Sequence, residues 1–264
     1  MVTLINPEGK ICLHTHTAFS DGKDEPEELV REALDLGIET LGFSDHQTTP
    51  FDLTYCIQPG RLDDYREEIL RLKKKYEGKI DIRLGIEKDY YGEKDDFDYD
   101  FVIGGVHYIE KDGNYLSVDE SEEVTREQID TYFGGDVRAY VKAYYETVAG
   151  VAEKTGCDIV AHLDLISKFN EGGTLFDEES VWYRRLANAA VAHLAKSHPI
   201  IEINTGAMAR GYRKTPYPAD FLIREAGRLG LQMILSSDCH DKTQLTFGFD
   251  EIRKAYEAEE GPFS

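Results

Sequence analysis

The chain has 264 residues, 41% hydrophobic and 31% charged, which is the composition of an ordered globular protein and not of a disordered or membrane-embedded one. Its 51 acidic residues against 30 Lys and Arg leave a formal net charge of −21, which argues against a broad nucleic-acid-binding surface, since that needs clustered cations. No apolar run approaches the roughly 20 residues that span a bilayer, and the start has no basic segment followed by an apolar one, so a cytoplasmic protein without a membrane partner is expected.

In chain order, the apolar run at 11–16 reads as a strand, in which residues two apart share a face, so that His14 and His16 can converge on one ion. Asp24 is the expected cap of a helix opening at Glu25, Pro26 and Glu27, with Leu29, Val30, Ala33, Leu34 and Leu36 as its apolar stripe and Gly37 as its end. Residues 40–46 form a second strand, 63–77 a charged helix closed by Gly78, and 80–87 a third strand. The acidic stretch 93–100 reads as a surface turn, and 101–107 as a fourth strand whose glycines mark a close approach to the backbone. A tyrosine-rich helical region covers 126–155 with a break at Gly134 and Gly135. Strands at 158–162, 199–204 and 232–238 follow, alternating with helices at 179–196, 219–229 and near 250–259. Seven strand–helix units with no repeat and no linker predict one domain over 1–264, an α/β barrel, with a doubly wound sheet as the alternative.

In such a barrel the loops after the strands open onto one face, where functional side chains gather. Six of the eight histidines fall at these ends: His14 and His16 on the first strand, His46 on the second, His107 on the fourth, His162 on the fifth and His240 after the seventh. Glu87 ends the third strand and Asp238 the seventh, while Asp21, in the turn Ser20-Asp21-Gly22, joins through its partners. His193 and His198 lie in or after a helix and are set aside. Imidazole with carboxylate suits zinc, manganese or iron, and the lack of thiolate in the clamp argues against a structural zinc site. Cys12, Cys56, Cys157 and Cys239 have no Cys-x-x-Cys spacing and read as buried free thiols, Cys239 pointing away from its neighbours Asp238 and His240.

The ordered set His14-Thr-His16 with Ser20-Asp21-Gly22, Ser44-Asp-His46, Glu87, Gly105-Val-His107, His162 and Ser237-Asp-Cys-His240 resembles the polymerase and histidinol phosphatase (PHP) family over nearly the whole chain. The resemblance implies a distorted (β/α)7 barrel holding up to three divalent ions, Zn, Mn or Fe. Carried over position by position, it implies His14, His16, Glu87 and Asp238 around the first ion, Glu87 shared with His107 and His162 around the second, and Asp21, His46 and His240 around the third. Glu87, Asp238 and His240 are the expected catalytic residues.

The loop at 204–218 looks most like the histidinol-phosphatase branch of that family. Asp21, Glu87 and Asp238 bring three negative charges against about +6 from three ions, a local excess of roughly +3 suited to an anion. A water bridging two ions can ionise near neutral pH and attack phosphorus in line. Arg210 and Arg213 offer planar forks for phosphate oxygens, and Lys168 stands at another strand mouth. The expected activity is hydrolysis of L-histidinol phosphate in histidine biosynthesis, with a small phosphate ester as partner and no long nucleic acid. The alternatives are another phosphate ester, a nucleotide, a phosphotyrosine, or an inactive binding module. Carboxylates and aromatic faces at the rim would suit the amine and imidazole of that substrate, with Asp164, Glu202 and Tyr145 as unassigned candidates.

Overall fold

The computed structural model describes residues 2–6 and 8–257. The chain order is β1 (Thr3–Leu4), β2 (Ile11–Cys12), α1 (Pro26–Asp35), β3 (Thr40–Phe43), α2 (Leu62–Lys75), β4 (Asp81–Asp89), β5 (Phe101–Gly105) and a hairpin of β6 (Tyr108–Lys111) and β7 (Asn114–Ser117). There follow α3 (Glu122–Phe133), α4 (Val137–Ala149), α5 (Val151–Thr155), β8 (Ile159–Val160), α6 (Val181–Leu194), β9 (Ile200–Asn204), α7 (Gly206–Ala209), α8 (Asp220–Arg228), β10 (Gln232–Ser236) and α9 (Phe249–Glu257). All strands outside the hairpin form one curled parallel sheet in the spatial order β2, β3, β4, β5, β8, β9, β10, β1. From β2 to β10 neighbours in space are neighbours in sequence, without the reversal of order that a doubly wound sheet has at its switch point. The seven expected strands are all present, and β1 is an addition beside β10 that the sequence reading missed.

No continuous ladder closes the sheet, and this is the distortion of the barrel. Asn6 spans part of the gap, donating to the carbonyls of Ile11 (2.9 Å) and Leu235 (3.1 Å) and accepting from Leu235 N–H (2.9 Å). Nearer the mouth a single parallel bridge joins Thr15 to Cys239, with His16 N–H on the Cys239 carbonyl (2.8 Å) and Cys239 N–H on that of His14 (3.2 Å). The sheet is thus pulled shut at the end where the histidines sit.

Successive strand residues face two different cores. Leu41, Phe43, Ile82, Leu84, Ile201 and Leu235 pack against the helices, while Phe101, Ile103, Ile159, Ala161 and Ile234 fill the barrel. A Cβ on Gly85 would lie 2.3 Å from the Phe101 ring, so the small residue in β4 is what lets that ring plug the interior. On this apolar floor the next inward positions are Glu87, two residues after Gly85, and Gly105, two after Ile103, with Glu202 on β9 facing the same way as Ile200.

Helix ends follow local chemistry, with one correction. The cap of α1 is Glu25, whose N–H bonds the Glu28 carboxylate (3.2 Å), and not Asp24, which is taken up by Lys242 N–H (2.8 Å) and Nζ (3.1 Å). The expected break in the tyrosine-rich region is real: Gly134 ends α3 at φ 60°, and Asp136 caps α4 through the N–H groups of Arg138 and Ala139. Among the described residues no helix is long and apolar enough to cross a membrane.

Candidate metal centre

Glu87, 1% exposed at the end of β4, is the carboxylate on which the mouth converges. Its Oε2 lies 3.0 Å from His46 Nδ1 and 3.1 Å from His14 Nε2, and its Oε1 3.1 Å from His162 Nε2 and 3.5 Å from His107 Nε2. Asp238 Oδ1 approaches His16 Nε2 (3.2 Å) and His14 Nε2 (3.5 Å). Asp21 reaches His240 Nε2 (3.2 Å), His16 Nδ1 (3.7 Å) and His46 Nε2 (3.9 Å). The nine side chains expected at the mouth therefore all meet there.

The grouping differs from the expected sets in the places of His16 and His46, each of which falls in two groups, and in leaving Asp238 and His162 outside the tightest ones. Ligand atoms fall within 4.8 Å of one another in three overlapping groups: His14, His16 and Glu87; His46, Glu87 and His107; His16, Asp21, His46 and His240. His46 stands between the Glu87 and Asp21 groups, where the sequence reading gave it to Asp21 alone. Both ring nitrogens of His16 are buried with no hydrogen-bond partner, although two carboxylates lie within 3.5 Å of Nε2. Imidazole nitrogens and carboxylate oxygens crowded on one another, with both nitrogens of a buried His16 left unpartnered, are what a cation would satisfy, so the residue set fits divalent ions.

Charge balance follows from this crowding. Burial disfavours ionisation of Glu87, but His46 and His14 outweigh it and hold the carboxyl well below its usual range; Arg210 and His14 do the same for Asp238. Burial likewise opposes the charge on His107, yet Asp89 and Glu87 raise it to about 9, whereas burial together with His240 and His46 drops His16 to about 3. Backbone strain gathers here too: His162 and Asp238 have positive φ of 22° and 48°. Gly105 keeps the floor open, because a Cβ there would lie 2.8 Å from His107 and 3.0 Å from Glu87.

Three carboxylates that the sequence reading left without a role support the cluster. Glu202 accepts from His14 Nδ1 (2.5 Å), from His162 N–H (3.0 Å) and from Asn204 Nδ2 (2.8 Å). Asp89 holds His107 by Nδ1 (3.2 Å) and N–H (2.9 Å). Asp45 holds the turn before Asp21. Inward parity on a strand could have flagged Glu202 and Asp89, since each shares a face with neighbours in the barrel. A carboxylate behind a ligating imidazole fixes its tautomer, so Glu202→Gln is expected to weaken metal binding about 10–100-fold. Metal titration of the chelated protein measures this, and unchanged affinity would refute the role.

The mouth opens into a cleft of about 530 Å³ lined by Tyr55, Tyr108, Asp119, Lys168, Arg210 and Tyr212 among others. Arg210 sits at its base, Nη2 3.1 Å from Asp238 Oδ2 and Nη1 3.0 Å from His240 Nδ1. Lys168 also lines the cleft, against Asp119 Oδ2 (3.1 Å) and over the Tyr212 ring (5.1 Å). Arg213 is not in the cleft: its guanidinium is bound to Glu178 (2.9 and 3.1 Å) and the Ser167 carbonyl (2.8 Å), because Glu178 competes for the fork at close range. Asp164 and Tyr145 are buried behind the cleft, Asp164 accepting from Ala219 N–H (2.8 Å) and Tyr145 donating to Tyr183 (2.8 Å). The β6–β7 hairpin supplies Tyr108 and Ser117 instead. Its two-residue turn, Asp112-Gly113 with φ of 52° and 81°, is an Asp-Gly signal that was present in the sequence and not used.

Residues 13–206 match the model of the PHP domain. The chain belongs to the PHP family. Among PHP relatives, a probable histidinol-phosphatase of Deinococcus radiodurans is 30% identical over 255 residues, covering 91% of this chain and 90% of that one. The histidinol-phosphatase of Bacillus subtilis is 25% identical over 260 residues, covering 90% and 96%. Among solved structures, a Listeria monocytogenes chain matches with a TM-score of 0.80 and 23% identity over 91% of this chain and 98% of that one. The histidinol phosphate phosphatase of Lactococcus lactis, crystallised with zinc, L-histidinol and phosphate, matches with a TM-score of 0.69 and 22% identity over 94% and 93%. Both share the curled PHP sheet. Asp238 and His240, which complete the cluster here, lie beyond the matched 13–206 segment.

Proposed function

We propose that this protein is a metal-dependent phosphomonoesterase that hydrolyses L-histidinol phosphate to L-histidinol and phosphate, a step of histidine biosynthesis carried out in the cytoplasm by residues 1–264 acting as one unit. The observation that carries the reading is Glu87, buried among His14, His46 and His162 at 3.0 to 3.1 Å, with His46 and His162 in turn lining a cleft that also holds Arg210. Relatives spanning nearly the whole chain and named histidinol-phosphatase support the substrate.

In this reading His14, His16, Glu87 and Asp238 hold one ion, Glu87, His107 and His162 a second, and Asp21, His46 and His240 a third, with His46 also turned to Glu87. Zinc, manganese or iron bound there would supply Lewis acidity toward the phosphoryl group and lower the pKa of a water. Arg210 presents a charged fork beside Asp238 for a phosphoryl oxygen, and Lys168 offers a second cation in the cleft. His240 accepts from Arg210 at Nδ1 and faces Asp21 through Nε2, so it ties the phosphate end of the cleft to the metal ligands. Asp119, Glu120 and Asp52, with the faces of Tyr55 and Tyr108, line the other wall and suit the amine and imidazole of the leaving alcohol.

The test is turnover of histidinol phosphate by metal-loaded protein against p-nitrophenyl phosphate and phosphotyrosine. Histidinol phosphate is expected to lead in kcat/KM, and parity among the three would defeat the substrate assignment. Arg210→Ala should lower kcat/KM about 10–100-fold, the worth of a hydrogen bond to a charged group.

A further inference from the structure

We propose that Asp45 is a positioning residue for the Asp21 ion site: its buried carboxylate fixes the turn at 17–20 and thereby sets whether the ion beside Asp21, His46 and His240 is held. The inference rests on the metal reading above.

Asp21 is the only one of the nine converging side chains carried by an open turn, and its carboxylate is 30% exposed. Such a ligand needs its backbone held from below. Asp45 is fully buried, and the donors the structure shows on its carboxylate all come from that turn. Oδ1 accepts from Thr17 N–H (2.8 Å), Thr17 Oγ1 (3.0 Å), Ser20 N–H (3.2 Å) and Ser20 Oγ (2.6 Å), and Oδ2 lies 3.1 Å from Thr17 Oγ1. The turn itself is tight: Ser20 N–H and Gly22 N–H both donate to the Thr17 carbonyl at 3.0 Å, and Gly22 has no room for a Cβ, which would fall 2.3 Å from the His16 carbonyl.

The same residue is tied to the rest of the centre through its main chain. Glu87 N–H donates to the Asp45 carbonyl (3.1 Å), and the next residue, His46, bridges to Glu87. Asp45 therefore links the ends of β2, β3 and β4. A buried carboxylate with no ion-pair cation among the described residues, and with its donors all from one turn, is costly unless that turn's position matters. Asn at this position could keep its oxygen on the four donors that Oδ1 takes, with its NH2 facing the Thr17 hydroxyl, but it would lose the negative charge that strengthens those hydrogen bonds, so the turn would be held less firmly.

The test is metal titration of chelated protein, wild type against Asp45→Asn, Ser20→Ala and Asp21→Ala, with thermal melting of each. Asp45→Asn is expected to weaken the ion that Asp21→Ala removes, about tenfold or more, and Ser20→Ala to weaken it about threefold to tenfold, while the others keep wild-type affinity. A folded Asp45→Asn protein with wild-type stoichiometry and affinities would overturn the proposal. If Asp45→Asn does not fold, Ser20→Ala decides it, unchanged affinity at the Asp21 site counting against. Wild-type protein holding no ion that Asp21→Ala removes would also overturn it. Wild-type protein binding no ion at all would instead sink the metal reading on which it rests.

Discussion

Glu87→Gln is expected to reduce kcat/KM on histidinol phosphate by about 10⁴-fold or more, since it removes the charge shared by two ion groups and each ion is worth several kcal/mol to the transition state. The side chain is 1% exposed and lies within 3.1 Å of three histidines, so no other group can take its place. Gln keeps the volume, which separates loss of ligation from loss of packing. The variant should melt as a folded protein yet retain at least one ion fewer per chain by elemental analysis. Wild-type metal content with kcat/KM within tenfold of wild type would remove Glu87 from the centre.

Chelation should have the second large effect, on stability as well as on activity. Glu87, Asp238 and Glu202 are each at most 7% exposed and lie close together, and among the described residues their counter-charges within 4 Å are Arg210 and the histidines. Ions that bind only the folded chain stabilise it by about 4 kcal/mol per site at a thousand times Kd. At about 2–4 °C per kcal/mol for a chain of this size class, removing even one such ion should lower Tm by about 10 °C. Differential scanning calorimetry before and after dialysis against chelator measures this, with zinc or manganese added back. Activity and Tm should return together; a Tm indifferent to chelator would mean that the buried carboxylates are balanced by protein groups alone.

The cleft's specificity is harder to read than its metal chemistry, and the reason is visible in Arg210 and Arg213. They are three residues apart on one loop and equally suited to phosphate by type. Arg210 stays in the cleft because Asp238 and His240 lie beside it, whereas Glu178 draws Arg213 away. Nothing local distinguishes them. Glu178 is 35 residues from Arg213 and comes near only when the loop after β8 folds over the one after β9.

Residue type and period were enough to predict a parallel barrel, ahead of a doubly wound sheet, and to place histidines and carboxylates together at its mouth. Apolar runs at strand length, broken by helices, leave few arrangements, and a parallel barrel sends every strand end to one face. Histidine and carboxylate at those ends then meet whatever the details of packing. The supporting partners were decided only by the tertiary structure. Glu202 lies 188 residues from the His14 that it orients, and Asp45 28 from the turn that it grips. Such pairs depend on distances of a few ångströms between side chains brought together by the closed sheet, and hydrogen bonding at that range leaves no trace in local sequence pattern.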